Sequence, residues 1–247
     1  MKLKILILLL FFIIFQSKAD QIYELIKIPN LKIYKIDKES NLRYLTPEKD
    51  FLTNSGINNV SCKKSNNHSV KQKYIKSKNE LNVFKKEFFE KIKLKYIILC
   101  KELKVGEINA LGFANPEMET ILLNIDTNDN DFERVIHHEV FHILENNHKK
   151  FFPDTVWAKF NNPNFYYSGN SARPEAYSLA KLSNTNGFFS EYAKYSISED
   201  MAETFSFINS RKKYVSEVIN LDKILNLLLG LKSFLQHDEK LRHHILC

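Results

Sequence analysis

His138, Glu139 and His142 stand in the run His-Glu-Val-Phe-His, an H-E-x-x-H. Residues four apart on an α-helix share a face and lie about 6 Å apart along its axis. Two imidazoles so placed can hold one Zn2+ at about 2.0–2.1 Å each. The glutamate beside the first histidine can then reach a water on the ion, which is the chemistry of hydrolysis. No G-x-x-x-x-G-K-[ST] and no G-x-G-x-x-G occurs anywhere in the chain, so the familiar phosphate cradles are excluded.

A hydrolytic zinc site needs a third protein ligand and an open position for water. Two candidates compete. His148 lies where H-E-x-x-H-x-x-G-x-x-H, the metzincin arrangement, has its third histidine. The glycine of that pattern is Glu145 here, a residue that continues a helix. His148, followed by Lys149 and Lys150, also reads as a cationic group at a helix C-terminus. The second candidate is Glu199, with Glu203 one turn later on the same face and small Ala202 between them. Ser196-x-x-Glu199 is equally a capping box, and Met201, Phe205 and Ile208 read as the core stripe of that helix.

The segments Gly187-Phe188-Phe189-Ser190-Glu191-Tyr192-Ala193 and Ser198-Glu199-Asp200-Met201-Ala202-Glu203-x-Phe205 follow His137-His138-Glu139-x-x-His142 downstream. Together they resemble the zinc-binding metallopeptidases of the gluzincin group, which includes the anthrax lethal-factor-like and Pro-Pro endopeptidase-like catalytic domains. Trp157-x-x-Phe160-Asn161-x-Pro163-x-Phe165-x-Tyr167 is similar to a W…NP…F.Y segment of the same family. The resemblance spans about residues 80–210. It implies a zincin fold with one Zn2+ on His138, His142 and Glu199, and Glu139 as general base. It also implies Tyr192 as the oxyanion-stabilising hydroxyl and Glu203 in support behind the ligands. The expected activity is that of a secreted zinc metalloendopeptidase acting on a peptide or protein. Met201 departs from the aromatic that such families often carry there. Two other readings stand beside it: a metzincin-type peptidase using His148, and a non-catalytic secreted zinc-binding module. The second would need neither Glu139 nor Tyr192.

The elements that must position these residues follow from periodicity. Asn130-x-x-Glu133 is a capping box ahead of a helix over about 131–147, with Phe132, Val135, Ile136, Val140, Ile143 and Leu144 on its apolar face. Strands are expected at 96–103, 111–114 and 120–125, the last able to pair with a substrate backbone. Leu81, Phe84, Phe88 and Ile92 predict an amphipathic helix over 79–94. Residues 20–52 read as short strands, and the polar stretch 53–80 as a mobile connection. Residues 148–190 read as loops with short helices, followed by helices over 197–210 and 221–235. Strands early and helices late make an α+β domain: a small mixed sheet, an active-site helix and a helical C-terminal half.

The chain has 247 residues, with 44% hydrophobic and 26% charged, the range of an ordinary globular protein. Met1–Lys4 is basic, Ile5–Phe15 unbroken apolar, and Ser17-Lys18-Ala19 a small-x-small exit. This pattern predicts a signal peptide at 1–19 cut after Ala19, leaving a secreted or periplasmic protein without a stable membrane span. An N-terminal segment 20–78 and a catalytic domain 79–247 would follow. Lys2, Lys4 and Lys18 contribute to the net charge of +7, so the mature chain carries about +4, too little to imply nucleic-acid binding. Cys62, Cys100 and Cys247 allow one disulfide without fixing the pair.

Overall fold

The computed structural model describes residues 31–55, 58–169, 187–210 and 220–237. The leader 1–19 and Cys247 lie outside them. Strand β5 (Tyr96–Val105) is the axis of the sheet. Its first half lies between β2 (Arg43–Pro47) and β8 (Thr120–Asn124), parallel to both. From Lys101 onward its second half pairs antiparallel with β4 (Asn58–Lys63), across an irregularity at Glu102, whose φ of 46° is left-handed. Four shorter strands complete the sheet, all antiparallel. They are β1 (Leu31–Ile36) on β2, β3 (Phe51–Ser55) on β4, β6 (Ile108–Asn109) on β5 and β7 (Gly112–Asn115) on β8.

Side chains alternate across a strand, and β5 and β8 use that alternation to build two cores. Ile97, Leu99, Ile121 and Leu123 face the helices, in one cluster with Leu42, Tyr44, Phe132, Val140 and Phe205. Ile98, Cys100 and Leu122 face the other side, with Leu45, Phe51 and Val60. The disulfide joins Cys62 of β4 to Cys100 of β5 within this second cluster. It is a pair that spacing alone did not select.

The helices are α1 (Asn67–Leu81), α2 (Lys86–Ile92), α3 (Asp129–Asn147), the short α4 (Asp154–Trp157), α5 (Ile197–Asn209) and α6 (Leu221–Gln236). The mixed sheet, the helix that carries the H-E-x-x-H and the helical C-terminal half form the expected α+β class. Three expectations need correction. The helix anticipated over 79–94 is two helices, because α1 ends at Leu81 and Lys93 leaves α2 in the left-handed conformation. The stretch 53–80 is not a loose connection, since it carries the end of β3, all of β4 and most of α1. Lys73 and Ser77 share the buried face of α1 with Val70 and Leu81, which is why apolar periodicity missed it. Lys73, buried in the α1 interface, donates to the Thr127 carbonyl at 2.5 Å and to Asp129 at 2.9 Å. Finally, α3 starts two residues early. Asn128 is its cap, accepting from the Asp131 N–H at 3.0 Å, with Asp129 and Asp131 in the positive first turn.

Candidate metal centre

Helices α3 and α5 pack along one another, and their facing surfaces carry His138, Glu139, His142, Glu199 and Glu203. Ser196 caps α5 by accepting from the Glu199 N–H, so the capping pattern is real. The Glu199 side chain, however, reaches into α3. Its Oε2 lies 2.9 Å from Nε2 of His138 and 3.3 Å from Nε2 of His142, and the two histidine nitrogens are 3.0 Å apart. His138, His142 and Glu199 thus offer three ligand atoms converging on one point.

The donor chemistry fits a zinc ion. Glu203, one turn beyond Glu199, takes the opposite nitrogen of His138, with Nδ1 to Oε1 at 2.9 Å. An ionised carboxylate only accepts, so Nδ1 carries a proton, and Nε2 is the nitrogen that would give its lone pair to an ion. That nitrogen faces a second imidazole nitrogen and a carboxylate oxygen. Burial opposes charge on His138, yet Glu199 and Glu203 hold its pKa well above the usual histidine range. Burial likewise opposes charge on His142, and Glu199 raises it. The point where the three groups meet therefore calls for positive charge, which a divalent cation supplies.

Further residues hold the ligands. Arg134, buried, approaches Glu203 at 3.4 Å; burial raises the Glu203 carboxyl, but His138 and Arg134 together keep it below its ordinary value. On the other side, the Ser198 hydroxyl lies 3.3 Å from Nδ1 of His142 and donates to buried Glu145. Where the metzincin pattern requires glycine, Glu145 thus continues α3 and supports a ligand. His148 caps α3 and turns away, its Nε2–H donating to the Lys91 carbonyl at 2.9 Å. Burial lowers its pKa, so it is a neutral donor and not the helix-end cation expected. His137 faces Glu80 of α1 at 3.3 Å and also stays out of the cluster.

Glu139 and Tyr192 flank the convergence point. Burial raises the Glu139 carboxyl against the pull of His138 and His142, and the Ala114 N–H of β7 donates to it. Tyr192 opens a 3-10 turn over Tyr192–Lys194, its ring 5.8 Å from that of His138. Burial, followed by the Glu199 and Glu139 charges, drives its phenol far above its ordinary pKa, so the hydroxyl stays protonated and can donate. These groups line a cavity of about 640 Å3 whose other wall is Gly112, Phe113, Ala114 and Pro116. A second cavity of about 970 Å3 shares Pro116 and Asn146 with it.

The strand beside the cleft is β7, not the 120–125 strand expected. β8 is internal, paired with β5 on one side and β7 on the other, whereas β7 pairs with β8 alone among the described residues. Leu111 accepts from the Asn124 N–H on the β8 side. Antiparallel alternation then turns the backbone groups of Gly112 and Ala114 outward.

Sequence reasoning missed the anchor of α5. Oδ2 of buried Asp200 accepts from Trp157 Nε1 at 2.8 Å, from the Tyr167 hydroxyl at 2.7 Å and from Lys223 of α6 at 2.6 Å. Lys223 also donates to the Gly187 carbonyl, where a φ of 88° requires glycine. The tryptophan–tyrosine segment, Gly187 and Asp200 were thus legible as motifs, but their common purpose was not. Along α5, Met201 and Phe205 are buried as expected, while Ile208 is exposed and Phe207 is buried instead, stacked on Phe189.

A family model described as "Putative zinc-binding metallo-peptidase" matches residues 68–226, taking in every residue of this cluster. No curated protein and no solved structure matches the chain.

Proposed function

The chain belongs to the zinc-binding metallo-peptidase family, and from that premise we propose that it is an exported zinc endopeptidase of the gluzincin type, with His138, His142 and Glu199 as the ligands of one Zn2+. The observation that carries this reading is the convergence of those three acceptors beside Glu139 and Tyr192, in a cleft walled by an edge strand. Zinc in such a site lowers the pKa of water to about 7 and polarises a carbonyl.

The chain's own residues supply the rest. Glu139 takes a proton from the attacking water as oxygen adds to the scissile carbonyl carbon. It passes that proton to the departing nitrogen as the C–N bond breaks, leaving a carboxylic acid and an amine. The Tyr192 hydroxyl donates to the carbonyl oxygen as charge develops there. The outward backbone groups of β7, apart from the Ala114 N–H that serves Glu139, offer an extended substrate a strand to pair with. A second cavity adjoining the first at Pro116 and Asn146 offers room for substrate on one side of the scissile bond and supports cleavage within a chain.

Export rests on the leader pattern of residues 1–19 and is supported by the Cys62–Cys100 disulfide, a bond typical of oxidising compartments. The described residues contain no helix long and apolar enough to cross a membrane. The orientation of His148 toward Lys91 gives the metzincin reading no support, and a binding module has no use for Glu139.

Cleavage profiling on a proteome-derived peptide library tests the proposal. The mature zinc-loaded protein should cut internal peptide bonds, and Glu139→Gln should cut none while keeping its zinc. Equal cleavage by both proteins, or none by the wild type, would contradict it.

A further inference from the structure

Gly112 is one of only six glycines in the chain, and its φ does not lie in the left-handed region. Backbone conformation therefore gives no reason for glycine there. Space does. A Cβ at position 112 would lie 2.5 Å from Oε1 and 2.7 Å from Cγ of Glu139, and 2.6 Å from Cγ1 of Val135. Two residues along the same strand, the Ala114 N–H donates to the Glu139 carboxylate. One short strand therefore meets the carboxylate twice, at the bare Cα of Gly112 and at the Ala114 N–H.

We propose that β7 is the seat of the general base: Gly112 and Ala114 are positioning residues that fix the Glu139 carboxylate for proton transfer. The role of Glu139 rests on the peptidase reading above; its placement by Gly112 and Ala114 does not. Carbon and oxygen at 2.5 Å must separate by about 1 Å to reach ordinary contact. A misplacement of about 1 Å at a reacting group costs on the order of 10²-fold in rate.

The competing explanation is that Gly112 only makes room for Val135 in the packing of α3. Val135→Ala removes that contact and leaves Glu139 untouched, so Gly112→Ala/Val135→Ala separates the two. The double variant should match Val135→Ala in thermal stability and zinc content and keep a wild-type KM. Its kcat should remain about 10²-fold lower, and its Ala114 amide should exchange hydrogen faster. Glu139→Ala, which needs no extra room at position 112, should speed exchange of the same amide. A kcat equal to that of Val135→Ala would overturn the proposal. So would an Ala114 amide that exchanges at the wild-type rate in the double variant or in Glu139→Ala. A wild type that cleaves no peptide would refute the peptidase reading, and the exchange measurements would still decide whether β7 holds Glu139.

Discussion

Glu203 accepts the Nδ1–H of His138 at 2.9 Å, and Glu199, one turn earlier on the same helix, faces the opposite nitrogen of that imidazole at 2.9 Å. One i, i+4 pair of glutamates therefore orients a candidate ligand and offers the third donor atom of the cluster. Carboxylates that orient a ligating histidine typically contribute 10–100-fold in metal affinity. Glu203→Ala should weaken zinc binding by about that factor without abolishing it, as read by competition with a chromogenic chelator. An unchanged affinity would remove Glu203 from the support of the site.

Tyr192 is assigned a charge that exists only in the transition state. Removing one oxyanion donor typically costs about 10²–10³ in kcat. Tyr192→Phe fills the same space, so zinc affinity, KM and fold should hold while kcat drops by that amount. Kinetics on any cleaved peptide give the answer, and an unaltered kcat would return Tyr192 to the status of a packed aromatic.

His148→Ala should leave zinc content and kcat near wild type, because its Nε2–H is committed to the Lys91 carbonyl. The loss should appear in stability alone, about 0.5–1.5 kcal/mol for one hydrogen bond to a partly buried carbonyl. Metal analysis and urea denaturation of the same sample measure both, and loss of zinc would revive the metzincin arrangement.

Asp200 and Lys223 are buried against one another beneath the ligand helix. Burial pushes the Asp200 carboxyl up and the Lys223 amine down, each against the charge of the other. Breaking a buried pair from one side typically costs about 3–5 kcal/mol, whereas removing both charges costs far less. Lys223→Met should therefore destabilise the protein by about that amount, and Asp200→Asn/Lys223→Met should recover a large part of it. Denaturant midpoints compare the two, and additive losses would mean that the residues do not act as a pair.

The active-site helix and the fold class were legible because both depend on apolar period, which Phe132, Val135, Ile136 and Val140 display plainly. Glu199 was visible as one of two candidates, and its own capping pattern argued equally for a bland role. Only the packing of α5 on α3 separates a capping backbone N–H from the side chain above it. Helix α1 was hidden for the opposite reason, since lysine and serine fill positions where period analysis seeks apolar residues. The edge position of β7 could not be read locally: β7 and β8 look alike as strands, and only pairing with β5 makes one internal. Gly112 gave no signal at all, because the space it leaves is defined by a helix that begins more than a dozen residues later.

The central claim is a single zinc ion held by His138, His142 and Glu199. It is tested most directly by inductively coupled plasma mass spectrometry of wild type and Glu199→Ala, each reconstituted with zinc and desalted. The wild type should carry one zinc per chain and Glu199→Ala should be stripped of it. Equal zinc in both proteins, or none in the wild type, would contradict the account.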